Sequence, residues 1–95
     1  EMTSRLEASR QLLYWAARSK DEGAEAIGEV ATAKLFISQT AVDVTRMAVS
    51  VHGVYGIDED TPVERMFRDA KMYELLEGSS EVQREIVMRA VNAMP

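Results

Sequence analysis

"TPVERMFRDAKMYELLEGSSEVQREIVMRAV", residues 61–91, decides the fold of this chain. It opens on a strong helix start. Thr61 can cap, Pro62 suits the first helical position, and Glu64 completes a Thr-x-x-Glu box in which side chains satisfy the orphan backbone donors. That helix is expected to end near residue 76. Ser80-x-x-Gln83 repeats the box spacing and starts a last helix over 80–93. Val82, Ile86, Arg89 and Ala90 share one face of it, flanked by Val87 and Val91. Glu77 and Gly78 therefore fall in a very short connection between two helices. A carboxylate there has two readings. It can complement the dipole at the next helix N-terminus, which spacing alone favours. It can also be a general base on a tight corner, half enclosed by Leu75, Leu76 and Val82, where partial burial suits proton abstraction.

Upstream lies "HGVYGIDED", residues 52–60, a loop with two glycines and an acidic run. A long helix over 27–52 precedes it. Ile27, Val30, Ala31, Lys34, Ile37, Ser38, Ala41, Val44, Thr45, Ala48 and Val51 or His52 trace one stripe, with Leu35, Val42 and Val49 in a row beside it. Ala31, Ser38, Ala41 and Ala48 are small enough to let a neighbouring helix approach, and Gly53 provides the stop. The first helix covers 3–20, with Leu6, Ser9, Leu13, Ala16, Ala17 and Lys20 on one face. Leu12 and Trp15 widen that face, and Ser4 and Glu7 stand at capping-box spacing. The polar run with Gly23 ends this helix near 20–22. With sparse Gly and Pro and no strand-like alternation, the chain reads as all-α, an antiparallel bundle-like domain of four helices.

Composition narrows the function. Ninety-five residues make one small domain, 46% hydrophobic and 28% charged, as in ordinary globular proteins. A net charge of −5 argues against a nucleic-acid surface, which needs concentrated Lys and Arg. No apolar run approaches the roughly 20 residues that span a bilayer. The absence of cysteine leaves no disulfide framework and no thiolate chemistry. His52 stands alone, so a metal site is not expected. Arg65, Arg68 and Asp69 read as an ion-pair cluster along one helix, and the six methionines as adaptable core filler. "SSEVQR" offers backbone N–H groups and hydroxyls for an acceptor-rich ligand, or ordinary N-capping. "VHGVYG" offers exposed amides, or a plain turn between helices.

Taken in order, these stretches resemble the C-terminal helical domain of the acyl-CoA dehydrogenases. That family typically shows Q-x-x-G-G-x-G, then P-V-E-R-x-x-R-D-A-K, then Y-E-G-T-S-E-I-Q-R. The second element stands intact at 62–71, and the third as Leu76-Glu77-Gly78-Ser79-Ser80-Glu81-Val82-Gln83-Arg84. "SRLEASRQLLYWAARSKDEG" and "ATAKLFISQTAVDVT" resemble the two long helices ahead of the loop, so the resemblance covers nearly all the chain. The first element departs from the pattern: Ser50 replaces its Gln, and Val54 replaces the glycine after Gly53.

The resemblance implies a flavin-dependent oxidoreductase that converts an acyl-CoA thioester to the trans-2-enoyl thioester. Glu77 matches the family's base, which takes the α-proton, and its own N–H would polarise the thioester carbonyl. Gly78 would let substrate approach the backbone. Ser79, Ser80 and Glu81 match a stretch that contacts FAD. Ser50, Gly53 and Val54 match the loop that reaches the flavin of a neighbouring subunit. Further implications are an electron-transfer acceptor, a homo- or hetero-oligomer (dimer or tetramer), and a cytoplasmic location, or the mitochondrial matrix in a eukaryote. Residues 1–95 are read as a C-terminal piece lacking the bundle's first helix, the N-terminal domain and the β-domain, inactive alone. Because of Ser50 and Val54, a second reading is a non-catalytic assembly subunit on the same scaffold. A third is a related acyl-thioester oxidase, or a dehydrogenase acting on a carrier-protein thioester.

Overall fold

A computed structural model describes residues 1–23, 25–76 and 79–94. Four α-helices follow one another: α1 (Met2–Asp21), α2 (Ile27–His52), α3 (Pro62–Leu75) and α4 (Ser80–Asn92), with a short 3-10 helix, Gly53–Ile57, after α2. Among the described residues there is no strand, and the all-α reading holds. The boundaries lie within a residue of those expected, as helix ends generally allow.

α2 organises the fold. Its 26 residues span about 39 Å, and it packs against α1, α3, α4 and the 3-10 helix. α1 returns along it antiparallel, with Arg5 bonded to Asp43 at 2.8 Å near one end. Lys20 stands beside Ile27 at the other. α3 runs back down α2 from Val49, which faces Phe67, to Lys34 and Ser38, which meet Tyr73. α4 continues in the same direction, from Gln83 beside Ala31 to Ala90 against Gly28. Because α3 and α4 occupy successive lengths of α2, each packs mainly on α2.

The helices approach closely because the residues between them are small. The buried apolar positions are Ala16, Ala26, Ala31, Ala33 and Ala70, joined by Ser9, Ser38, Thr40, Ser80 and Gln83. Gly28 shows how tight this is: a Cβ placed there would come within 2.7 Å of the Ala90 Cβ. The expected stripe on α2 holds at Ala31 and Ser38, but Ile27 and Val30 are exposed while Ala33 and Thr40 are buried. The large side chains expected to build the core instead lie open. Leu6, Leu13, Trp15 and four of the methionines (Met66, Met72, Met88, Met94) are exposed, so those four do not fill a core.

The molecule is accordingly long, 51 × 23 × 19 Å, with a radius of gyration of 15.5 Å where about 12 Å is typical of a compact chain this size. It exposes 6867 Å², about 1,400 Å² more than a compact monomer of its mass. Among the described residues, no helix is long and apolar enough to cross a membrane.

Capping differs from the sequence expectation in three places. α1 begins at Met2, so Ser4 lies inside its first turn rather than at a cap. Thr61 adopts the extended backbone of an N-cap but makes no side-chain cap bond, leaving Pro62 as the start signal. α4 is capped by Ser79, not by Ser80, because Ser80 already has helical geometry. The glycine stop on α2 is as expected: Gly53 takes φ +63°, which a side chain would strain.

Candidate active site

The residues expected to act fall into two groups separated along α2. Ser50 and Gly53 stand at its C-terminal end, and Val54 on the 3-10 helix that follows. Ser79, Ser80 and Glu81 start α4, after α3 has run down to Lys34. Sixteen residues of helix from Lys34 to Ser50 correspond to about 24 Å. One copy of the chain does not bring the two groups together.

In the first group, Ser50 turns its hydroxyl back to donate to the Arg46 carbonyl at 3.2 Å, a bond a helix surface provides by itself. Val54 is 82% exposed, and its neighbours Val51 and Tyr55 are also open, so this end of the molecule presents an apolar tip. The loop's glycines do different jobs. Gly53 is required by its backbone angle and has open space around it. Gly56 is required by contact: a Cβ there would lie 2.3 Å from the Val49 carbonyl oxygen.

In the second group, the Ser79 hydroxyl accepts from the Val82 N–H at 3.4 Å, and the Gln83 N–H donates to the Ser79 carbonyl at 3.0 Å. Glu81 sits in the first turn. Its own backbone N–H, then the Ser79 hydroxyl, hold its carboxyl below the usual carboxylate range, with smaller help from Arg84 and Lys71. Ser80 is only 8% exposed, yet its buried Oγ has no hydrogen-bond partner among the described residues. A buried hydroxyl without a partner costs about 1–3 kcal/mol. A helix N-terminus with a hydroxyl left over among the described residues suits an acceptor-rich ligand. A flavin nucleotide, with its phosphate, carbonyl and ring-nitrogen acceptors, fits that donor set.

Glu77 and Gly78 lie outside the described residues. Their flanks are informative. Leu75, Leu76 and Val82, the side chains expected to shelter the carboxylate, are 64%, 49% and 47% exposed. The expected enclosure of the carboxylate itself lies outside the described residues. What the sequence reading missed is an anchor on α3 just before the corner. The Tyr73 carbonyl accepts from Lys34 Nζ on α2 at 2.5 Å, beside Ser38. A shallow cavity of about 350 Å³, lined by Lys34, Ile37, Ser38, Ala41 and Tyr73, adjoins that anchor. The signal was present in the sequence, since Lys34 is a lysine in the middle of a packing stripe.

The expected ion-pair cluster resolves differently: Arg68 pairs with Glu64 at 2.6 Å and Arg65 with Asp69 at 3.6 Å. Glu64, whose sequence role was capping, is thus an ion-pair partner, and it holds the Arg68 guanidinium above its ordinary range. Among the described residues, no group of three His, Asp or Glu side chains is placed to hold a metal ion.

Comparison with known proteins places these observations. The family described as acyl-CoA dehydrogenase, C-terminal domain, matches residues 1–92. Short-chain-specific acyl-CoA dehydrogenase of Clostridium acetobutylicum is 45% identical over 87 residues, covering 92% of this chain and 23% of the relative. Cyclohexane-1-carbonyl-CoA dehydrogenase of Geobacter metallireducens is 40% identical over 91 residues, covering 96% and 24%. The solved butyryl-CoA dehydrogenase of Megasphaera elsdenii superimposes with a TM-score of 0.91 at 40% identity, covering 95% of this chain and 24% of that one. The chain spans about a quarter of the length of each of these proteins.

Proposed function

The chain belongs to the acyl-CoA dehydrogenase family of flavin-dependent oxidoreductases, as its C-terminal helical domain, and from that premise we propose that Glu77 is the base of an acyl-CoA dehydrogenase. The observation that carries this reading is the start of α4. Immediately after Glu77-Gly78 in sequence stand a capped helix N-terminus and the buried Ser80 hydroxyl, without a partner among the described residues and so free to donate to a flavin. A carboxylate three residues ahead of that hydroxyl belongs chemically to the same site.

The reaction divides between chain and cofactor. Bound FAD supplies the two-electron acceptor that takes the β-hydrogen as hydride. The Glu77 carboxylate takes the α-proton of the thioester. The Glu77 N–H donates to the thioester carbonyl, stabilising the charge that develops there as the proton leaves. Gly78, without a side chain, leaves the backbone open to the substrate. Ser80 donates its hydroxyl to an acceptor on the cofactor, and Ser79 holds the first turn that carries it. The domain acts within a complete flavoprotein whose other parts bind most of the cofactor and substrate. Its partners are an acyl-CoA, an electron-transfer acceptor and further subunits.

The test is Glu77→Gln in the complete flavoprotein, mixed anaerobically with a panel of acyl-CoAs while the flavin band is followed. General-base loss typically costs about 10²–10⁴-fold, and that slowing is expected with FAD still bound. Bleaching at the parent rate would place the base elsewhere.

The Ser50 and Val54 positions favour one alternative. Ser50 spends its hydroxyl on Arg46, and Val54 points an apolar side chain outward where the family's loop has glycine. Both weaken a polar cofactor contact and leave the helices intact, as a non-catalytic assembly subunit would. A complete protein that purifies colourless in complex with a flavin-bearing partner would decide for that alternative.

A further inference from the structure

Tyr73 lies in the last turn of α3, where the final carbonyls of a helix lack partners within it. A cation there is favoured by the helix dipole, yet α3 has no basic residue in its last turn. α2 provides one. Lys34 Nζ donates to the Tyr73 carbonyl at 2.5 Å and to Ser38 Oγ at 3.1 Å. The buried Ser38 hydroxyl donates in turn to the Lys34 carbonyl at 2.6 Å and lies 3.4 Å from the Tyr73 oxygen. Ser38 thus steers the ammonium, and the ammonium ties the end of α3 to the N-terminal third of α2. Three residues, 74–76, separate that tie from Glu77 in sequence.

We propose that Lys34 is a positioning residue for the reaction: by bonding the Tyr73 carbonyl it anchors the end of α3, from which the chain continues to Glu77. The proposal rests on the reading of Glu77 as the base. Its physical basis is the steep dependence of proton transfer on geometry, in which a misplacement of about 1 Å can cost roughly 10²-fold in rate. A lysine also costs much rotamer entropy to hold in one place, so its ordered pose at a helix–helix contact needs the two acceptors it has.

The experiment compares Lys34→Met, Lys34→Arg, Ser38→Ala and Glu77→Gln in the complete flavoprotein. Lys34→Met keeps most of the stem and removes the ammonium, whereas Lys34→Arg retains a cationic donor. Four quantities are read: the limiting rate of anaerobic flavin bleaching by the best acyl-CoA, the dissociation constant for that acyl-CoA, FAD content and Tm. The expected result for Lys34→Met is a rate about 10- to 100-fold lower at unchanged dissociation constant and FAD content, with most of the loss recovered in Lys34→Arg. Ser38→Ala should lower the rate several-fold in the same way, and it decides the matter if Lys34→Met does not fold.

A parent-like rate in Lys34→Met overturns the proposal. So does a loss that falls in step with FAD content and Tm and is not rescued by arginine, because that marks a purely structural role. If Lys34→Met does not fold, a parent-like rate in Ser38→Ala overturns it. Glu77→Gln separates the premise from the proposal. Slow bleaching in Glu77→Gln beside parent-like Lys34→Met refutes the positioning role alone, whereas fast bleaching in Glu77→Gln refutes both.

Discussion

Gly56→Ala asks whether the glycine loop serves the fold or a ligand. Gly56 is buried, and a Cβ on it would lie 2.3 Å from the Val49 carbonyl oxygen and 3.0 Å from the Val49 Cα and carbonyl carbon. All three atoms are backbone in the last turns of α2, so no side-chain rotation relieves the clash. Reaching even a tight 3.0 Å contact requires a shift of about 0.7 Å between the 3-10 helix and α2. Forced overpacking of this kind costs about 1–3 kcal/mol, and a rigid backbone partner places it at the upper end. Alanine recovers about 0.4–1 kcal/mol by restricting the unfolded chain. The net loss is about 2 kcal/mol, which for a domain this size lowers Tm by roughly 8–16 °C. Thermal unfolding of the chain followed by helical ellipticity measures it. Val54→Ala, at a position 82% exposed two residues earlier, is the control and should stay within about 0.5 kcal/mol of the parent. If Gly56→Ala were as benign as Val54→Ala, the close packing of this loop on α2 would be wrong. The case for glycine at 56 would then have to rest on a ligand.

Gly28→Ala puts a methyl group 2.7 Å from the Ala90 Cβ between α2 and α4. Since alanine also gains about 1 kcal/mol of helix propensity, the single change should be only mildly destabilising. The double change with Ala90→Gly should instead show a favourable coupling of about 1–3 kcal/mol in denaturant melts, and additive effects would refute the contact. Glu81 has a carboxyl held low by its own N–H and by Ser79, so its contribution is present above the ordinary carboxylate range and is lost as pH falls through the lowered value. Unfolding midpoints taken from pH 7 into the acid range should therefore show a shallower acid loss in Glu81→Gln than in the parent, and identical profiles would count against that environment.

Much of the fold was legible because the punctuation is local. Pro62 after Thr61 started α3, Gly53 stopped α2, and the polar run after residue 20 ended α1, each through backbone geometry that one or two residues dictate. The burial pattern was less legible. Periodicity marks which residues share a helix face but not which face meets a neighbour, so Ile27 and Val30 were counted with Ala31 although only Ala31 is buried. The cap of α4 moved for a similar reason: Ser79 and Ser80 offer the same hydroxyl one residue apart, and the backbone angles at the turn choose between them. For the candidate site, motif order pointed to Glu77 and located the start of α4. Spacing in sequence could not show that Ser50 and Ser80 lie far apart along α2, nor that a lysine from α2 would hold the end of α3.

The open surface and the candidate base bear on each other. A carboxylate that removes a weakly acidic α-proton works best where water is excluded, because low dielectric strengthens the donors that stabilise the developing charge. Leu75, Leu76 and Val82 are themselves open to water in this chain. The excess surface of about 1,400 Å² is close to the total that a standard protein–protein contact buries. Covering such an area with other domains or subunits would convert exposed leucines, valines and aromatics into an interior without changing the helices. The small-residue contacts along α2 are complete already, so α2 and the Lys34 anchor can set the position of the corner first. Surfaces packed over α1, α2 and the flanks of the corner would then supply the dry environment. On this reading the chain carries the geometry of the chemistry and leaves its dielectric to assembly.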